Sequence, residues 1–302
     1  MKKIGLIGVG LVGTAVTECL LSKQFRIIGY DLDPARLDHL NELGGETADS
    51  PAAVARQVKF VMLSLPESSV VREVIHGAGG ILQADRLPRY IIDTTTGDPE
   101  ETIALAEQLA GKGIHYLDAT ISGSSQQIRR REGVFMVGGE REAFEACKNI
   151  FQVLTEKIFY LGSSGSGAKA KLASNLILGL NRLALAEGLV FAETLGLNLH
   201  SFLEMLKQSP AYSVAMDVKG RKMLQGDFSP ESRIKQHHKD VALILKYAEK
   251  NKQSLPLSAV HYDILEKAIH TGRGEMDTSA VIAEIRRRTI ARLSKQTNGK
   301  KS

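Results

Sequence analysis

The sequence predicts an α/β fold: a doubly wound, mainly parallel sheet followed by an all-α domain. Three observations carry this. Residues 1–162 alternate short β-rich runs with amphipathic stretches, the pattern of strands joined by crossover helices. Several of the runs are continuously apolar, as strands covered on both faces are. After "LGSSGSG" the strand signals stop and helix-period segments follow.

The elements follow in order. "KIGLIG" reads as the first strand, and "FRIIGYD", "VKFVMLS", "YIIDT", "IHYLDAT", "VFMVG" and "IFYLG" as six more. Stretches such as "PEETIALAEQLAGKG" are the amphipathic crossovers between them. A long helix is expected from about Gly167 to Leu195, then helical segments near 199–208, 230–251, 256–272 and 278–293. The boundary therefore falls near Gly162, with an α/β domain over 1–162 and a helical domain over 163–302.

Length and composition set the class. A chain of 302 residues accommodates two domains. No uncharged apolar run approaches the ~18 residues of a membrane span. "MKKIGLIGVGLVG" has the lysines and apolar run of a signal peptide, but its glycines are regularly spaced and no clean cleavage site follows, so it reads as a buried strand and its turn. Cys19 and Cys147 are the only cysteines. That is no disulfide framework, and it suits a reducing, cytoplasmic setting. The pI near 9.1 invites a nucleic-acid reading, yet Arg286 to Ser302 hold seven Lys/Arg and no Asp/Glu, so the net +5 becomes −2 for residues 1–285. The basicity is a solvated tail with a frayed end, and neither nucleic acid nor membrane is expected as a partner.

"GLIGVGLVG" places Gly8, Gly10 and Gly13 in G-x-G-x-x-G spacing after an apolar strand, with Leu11 and Val12 opening a helix. Gly8 allows the tight turn, Gly10 the approach of a pyrophosphate and Gly13 close helix–strand packing. Phosphates would sit on the helix N-terminus. Asp31 ends the second strand, 18 residues after Gly13, where a carboxylate accepts from ribose hydroxyls and repels a 2′-phosphate. The first domain is thus of the Rossmann dinucleotide-binding type, with NAD favoured over NADP. Arg36 is the dissenting residue, since an arginine there could accommodate that phosphate.

Two polar clusters stand out. In "KAKLASN", Lys171 and Asn175 share a helix face while Lys169 points about 200° away. Lys169 then faces solvent and Lys171 the body of the helix, where an amine either snorkels out or does chemistry. "DATISGSSQQ" follows a strand and so lies at a carboxyl edge of the sheet. Its Ser122, Gly123 and Ser124 read as an ordinary loop or as a seat for a carboxylate. His237 and His238 are adjacent, diverge on a helix and make a poor metal pair, so no metal is expected. Asp240 and Asp277 read as anchors of helix ends or salt bridges.

The ordered set "GLIGVGLVG", "DTTTGDP", "DATISGS", "MVGG", "GSGAKAKLASN", "HKD" and "DTSAVI" resembles the β-hydroxyacid dehydrogenases, the family of 3-hydroxyisobutyrate, tartronate-semialdehyde and 6-phosphogluconate dehydrogenases. The match runs nearly end to end. The resemblance implies that Lys171 is the catalytic acid/base, that Ser122, Gly123 and Asn175 hold a small carboxylate-bearing substrate, and that Leu65, Pro66, Thr96 and Lys239 line the cofactor site. It also implies a helical second domain through which chains pair into dimers or tetramers. Reduction of an aldehyde needs a proton for the developing alkoxide, and a cation beside that oxygen supplies it.

Thr120, Ser124 and Ser174 depart from the family pattern, as does "QIRRREGVF", which leaves the substrate open. Arg129, Arg130 and Arg131 read as a solvated basic turn or as donors reaching the substrate loop to bind a second anionic group. The rival functions are an imine reductase, which an ammonium at Lys171 disfavours, and a non-catalytic dinucleotide sensor, which has no need of Lys171, Asn175 and the Ser122 loop together.

Overall fold

The computed structural model describes the backbone of residues 2–298 and the side chains as far as residue 289. The chain divides into two compact units, Met1–Lys171 and Leu172–Ser302.

In the first unit, strands β1 (Lys3–Ile7), β2 (Arg26–Tyr30), β3 (Glu46–Thr47), β4 (Phe60–Leu63), β5 (Tyr90–Asp93), β6 (His115–Ser122), β7 (Val134–Gly138) and β8 (Lys157–Gly162) form one sheet in the order β3-β2-β1-β4-β5-β6-β7-β8. Helices α1 (Leu11–Ser22), α2 (Pro34–Glu42), α3 (Pro51–Ala55), α4 (Ser68–His76), α5 (Pro99–Ala110), α6 (Ser125–Arg129) and α7 (Arg141–Leu154) alternate with the strands. Every pair is parallel except β6 and β7. The link between those two is short and holds one helix of five residues, too little for a parallel crossover. Both sheet faces are covered. One core cluster holds Leu6, Met62 and Ile92 with Val16 of α1 and Phe151 of α7, and the other holds Ile7, Leu63 and Ile91 with Ile75 of α4 and Leu109 of α5. Consecutive strand residues thus point to opposite, equally apolar layers, which is why these strands read as unbroken apolar runs.

The second unit is helical: most of α8 (Ser166–Thr194), then α9 (Leu199–Lys207), α10 (Arg221–Gln225), α11 (Ile234–Lys250), α12 (Pro256–Ala268) and α13 (Val281–Asn298). Alpha-8 is long and apolar enough by composition to cross a bilayer, and Leu185, Ala186, Leu189 and Val190 on it belong to the core of the helical unit. Asp277, fully buried, accepts from Lys219 Nζ (2.9 Å) and from the backbone N–H groups of Glu231, Ser232 and Ser279 (3.1, 3.1 and 3.0 Å). It is an anchor, as its sequence setting suggests.

The units divide nine residues after Gly162, within the first turns of α8. Asp118 on β6 accepts from the backbone N–H groups of Gly165 and Ala168, both at 2.9 Å. Thr120 Oγ1 donates to Gly167 O at 3.0 Å. A Cβ on Gly167 would stand 2.5 Å from the carbonyl oxygens of Asp118 and Met136, so only glycine lets the helix start press onto the strands. The head of α8 therefore belongs to the sheet. Of the basic C-terminal segment, Arg286 pairs with Glu193, Arg287 with Glu284, and Arg288 with both Glu284 and Asp263. The expected frayed end lies outside the described residues.

Candidate active site and dinucleotide cradle

The glycine turn has the shape its spacing predicts. Gly8 takes φ +92°, and a Cβ on Gly13 would stand 2.1 Å from Gly8 O, so the turn and the helix–strand contact both require glycine. Gly10 caps α1 without a side-chain hydrogen bond. The nearest group to a Cβ placed on it is Arg36 Nη1, at 3.7 Å. The head of α1, with Leu11 and Val12, is thus open to an anion drawn by its N–H groups. A dinucleotide pyrophosphate fits this cradle.

Asp31 lies just past β2. Its carboxylate accepts from Val9 N (2.7 Å) and Asp33 N (3.0 Å), and Arg36 Nη1 stands 3.2 Å from Oδ2. The acid expected to meet a ribose is therefore already tied to the glycine turn and partly covered by Arg36. Across the sheet, Leu65 N donates to Thr95 Oγ1 at 3.2 Å, and Thr94 Oγ1 donates to Leu63 O at 2.8 Å. These bonds join the Leu65–Pro66 segment after β4 to the Thr94–Thr96 turn after β5, so Leu65, Pro66 and Thr96, three of the cofactor-lining residues implied by resemblance, lie on two adjacent strand ends, while the fourth, Lys239, stands on α11 of the helical unit. Asp93, missed in the sequence, underlies that turn. It is buried, accepts from Thr95 N at 2.9 Å and from the Tyr116 hydroxyl, and burial raises its carboxyl to about 6.

The chemical end forms where α8 meets β6. Lys169 is exposed and Lys171 buried, so the two lysines part as their spacing requires. Lys171 Nζ donates to Ile121 O at 2.7 Å, immediately before Ser122. Ser122 ends β6, Gly123 follows at φ +147°, and Ser124 caps α6, accepting from Gln127 N while its own N–H donates to Gln127 Oε1. Ser124 is thus engaged as a helix cap, and Ser122 and Gly123 form the part of the loop at Lys171. Asp118, also missed, fixes the start of α8 and hence Lys171. Burial raises its carboxyl, with the N–H groups of Ala168 and Gly165 pulling the other way.

One helical turn after Lys171 comes Asn175, 4% exposed, in the helical unit. Its Nδ2 donates to Asp240 Oδ2 at 2.9 Å, and Lys239 Nζ stands 3.1 Å from Asp240 Oδ1. Asp240 is thus a positioning residue for Asn175, which goes beyond the salt-bridge role expected of it. "HKD" was its only signal in sequence.

The arginine run does not join the site. Arg129 forms a bidentate pair with Glu18 of α1 (Nε–Oε2 2.5 Å, Nη2–Oε1 3.2 Å), Arg131 donates to Gln152 O at 2.8 Å, and Arg130 is exposed. The reading in which one of them reaches the substrate loop is set aside. Among the described residues no cluster of three or more His, Cys, Asp or Glu side chains could hold a metal ion.

A Rossmann-type cradle, a buried lysine at the carboxyl edge of the sheet and a helical second unit define the class: a dinucleotide-binding oxidoreductase. Comparison with known proteins makes this specific. Residues 3–162 match the NAD-binding domain of 6-phosphogluconate dehydrogenase, and residues 165–285 the NAD-binding domain of NADP-dependent 3-hydroxyisobutyrate dehydrogenase. The chain is 30% identical over 284 residues to glyoxylate/succinic semialdehyde reductase 1 of Arabidopsis thaliana, covering 94% of this chain and 98% of that one. It is 32% identical over 281 residues to 2-(hydroxymethyl)glutarate dehydrogenase of Eubacterium barkeri, covering 93% of each. A 3-hydroxyisobutyrate dehydrogenase structure from Salmonella typhimurium shares the fold, with a TM-score of 0.86 at 23% identity over 94% of this chain and 99% of that one. The chain belongs to the β-hydroxyacid dehydrogenase family.

Proposed function

We propose that the chain transfers a hydride between NAD and a small 3-hydroxy acid or the matching semialdehyde acid. The observation that carries this reading is Lys171: a buried ammonium held at the Ile121 carbonyl, beside Ser122 and one turn before Asn175. A nicotinamide, when bound, supplies or accepts the hydride. The chain's own groups do the rest. As an aldehyde is reduced, negative charge grows on its oxygen. The Lys171 ammonium stabilises that charge and gives the oxygen its proton; in oxidation the neutral amine takes the hydroxyl proton back. Ser122 and Gly123 offer a hydroxyl and a close backbone to the substrate carboxylate. Asn175, its amide turned by Asp240, orients the substrate.

The preference for NAD rests on Asp31, whose charge opposes a 2′-phosphate. Arg36 offsets part of that charge, so the expected preference is modest. The exposed Ile177 and Phe191 of α8 and Leu195 just past its end support pairing of chains through the helical unit, and the paucity of cysteines supports a cytoplasmic setting. The deciding experiment is Lys171→Met assayed on a panel of semialdehyde acids with NADH. The variant should lose about 10²–10⁴ in kcat while its NADH affinity, read by cofactor fluorescence, stays near that of the parent. Turnover close to the parent's in a folded variant refutes the assignment.

A further inference from the structure

A cavity of about 440 Å³ opens in the first unit between α4 and α5, on the sheet face away from α1 and α7, and takes no part in the chemistry above. That volume lies in the range of small-molecule sites, roughly 300–1,000 Å³. Its floor follows from strand alternation. Ile91 of β5 points into the layer under α4 and α5, and Asp93, two residues on, shares its face. Tyr116 of β6 belongs to the same layer, and its hydroxyl donates to Asp93 Oδ2. Ser68 and Val71 of α4 line one wall, and Thr102 and Leu105 of α5 line the other. Each of these pairs is spaced three residues apart and so shares one face of its helix.

Asp93 is the anomaly in this cavity. It is 5% exposed, and Tyr116 is 4% exposed. Its hydrogen bonds come from Thr95 and from the Tyr116 hydroxyl, all of them neutral donors. Asp118 on the next strand adds a charge of its own sign. Among the described residues, Arg72 is the one Lys or Arg lining the cavity, and it pairs with Glu101 on the exposed rim. Burial raises the Asp93 carboxyl to about 6, so at neutral pH the floor holds an anion that no cation pairs with among those residues. A buried charge without a counter-ion is costly, and a cation that reaches it offsets that cost.

We propose that this cavity binds a short primary alkylammonium, with its cationic head at Asp93 and its chain between Val71 and Leu105. An ammonium has three N–H donors and no acceptor. The cavity offers oxygens to match: the Asp93 carboxylate, the lone pairs of the Tyr116 hydroxyl, and the hydroxyls of Ser68 and Thr102. With His76 neutral, Asp93 and Glu101 against Arg72 leave the lining net negative, which favours a cation over a carboxylate. No group of three His, Cys, Asp or Glu side chains among the described residues could hold a metal ion, so the complement of this floor is an organic cation. Val71 and Leu105 supply apolar surface for a short chain. The site is distinct from Lys171 and stands whether or not the hydride reading holds.

The test is a chemical-shift titration of the full chain, at a pH where Asp93 is ionised, with two probes of one shape: n-butylammonium and the neutral n-butanol. The parent should bind the ammonium at least about tenfold more tightly, and the amide signals that move should be those of Thr95, Thr102 and Tyr116. In Asp93→Asn the two affinities should come together. Equal affinity for the two probes in the parent, no saturable shift with the ammonium, shifts centred elsewhere on the chain, or a preference that survives in a folded Asp93→Asn overturns the proposal. The parent comparison stands even if the asparagine variant does not fold.

Discussion

Replacing Asp93 with Asn should make the protein more stable at neutral pH, not less. Asp93 closes β5 and is 5% exposed. Burial raises its carboxyl from the ordinary 3.8 to about 6, with neighbouring Asp118 adding to the rise, even though Thr95 and Tyr116 hydrogen-bond to it. The native state therefore binds the proton more tightly than the unfolded chain does. Between pH 3.8 and about 6 the native form carries more protons, so stability falls as pH rises through that window and stays lower above it. At about 1.36 kcal/mol for each pH unit, the rise corresponds to roughly 3 kcal/mol. Asparagine keeps an oxygen for the Thr95 N–H, and its amide can donate to a reoriented Tyr116 hydroxyl. Urea denaturation followed by circular dichroism, at about pH 8 and about pH 4, measures the gap between variant and parent. The gap in favour of Asp93→Asn should shrink by up to about 3 kcal/mol on acidification. A variant less stable than the parent at the higher pH, or a gap that ignores pH, would show that the carboxylate is satisfied in place and the reasoning wrong.

Arg36→Ala removes the cation beside Asp31. With Arg36 half exposed, the lost attraction for a 2′-phosphate is on the order of 1 kcal/mol, so kcat/KM should shift about fivefold further toward NADH; a shift toward NADPH would show that Asp31 does not set the preference. Arg129→Ala breaks an exposed pair with Glu18 and should cost under about 1 kcal/mol of stability, with mono- and dianionic substrates affected alike; a rise in KM confined to the dianion would return Arg129 to the site.

How much of this was legible in sequence followed from how local each signal was. The seven long strands and the glycine turn were readable because apolar runs and G-x-G-x-x-G spacing are properties of neighbouring residues. The two-residue strand Glu46–Thr47 carries too little pattern to be seen. Lys171 and Asn175 were separable from Lys169 by helical period alone. The supports of the site were not readable: Asp118 reaches residues 47 and 50 positions away, and Asn175 meets Asp240 across 65. The boundary expected at Gly162 followed the last strand, whereas hydrogen bonds from β6 hold the next turns of α8 to the sheet.

The grip of Asp118 on α8 also bears on the order of assembly. The β1–β4 pairing that frames the dinucleotide cradle joins Ile4 to Phe60, and the grip of Asp118 reaches Ala168 across 50 residues, so the two close over stretches of similar length. The second stretch carries β7, run in reverse, and β8 beside it. Contacts of such separation close late. On this account the cradle and the seat of Lys171 are completed by contacts of comparable reach, and a chain caught before they form holds neither.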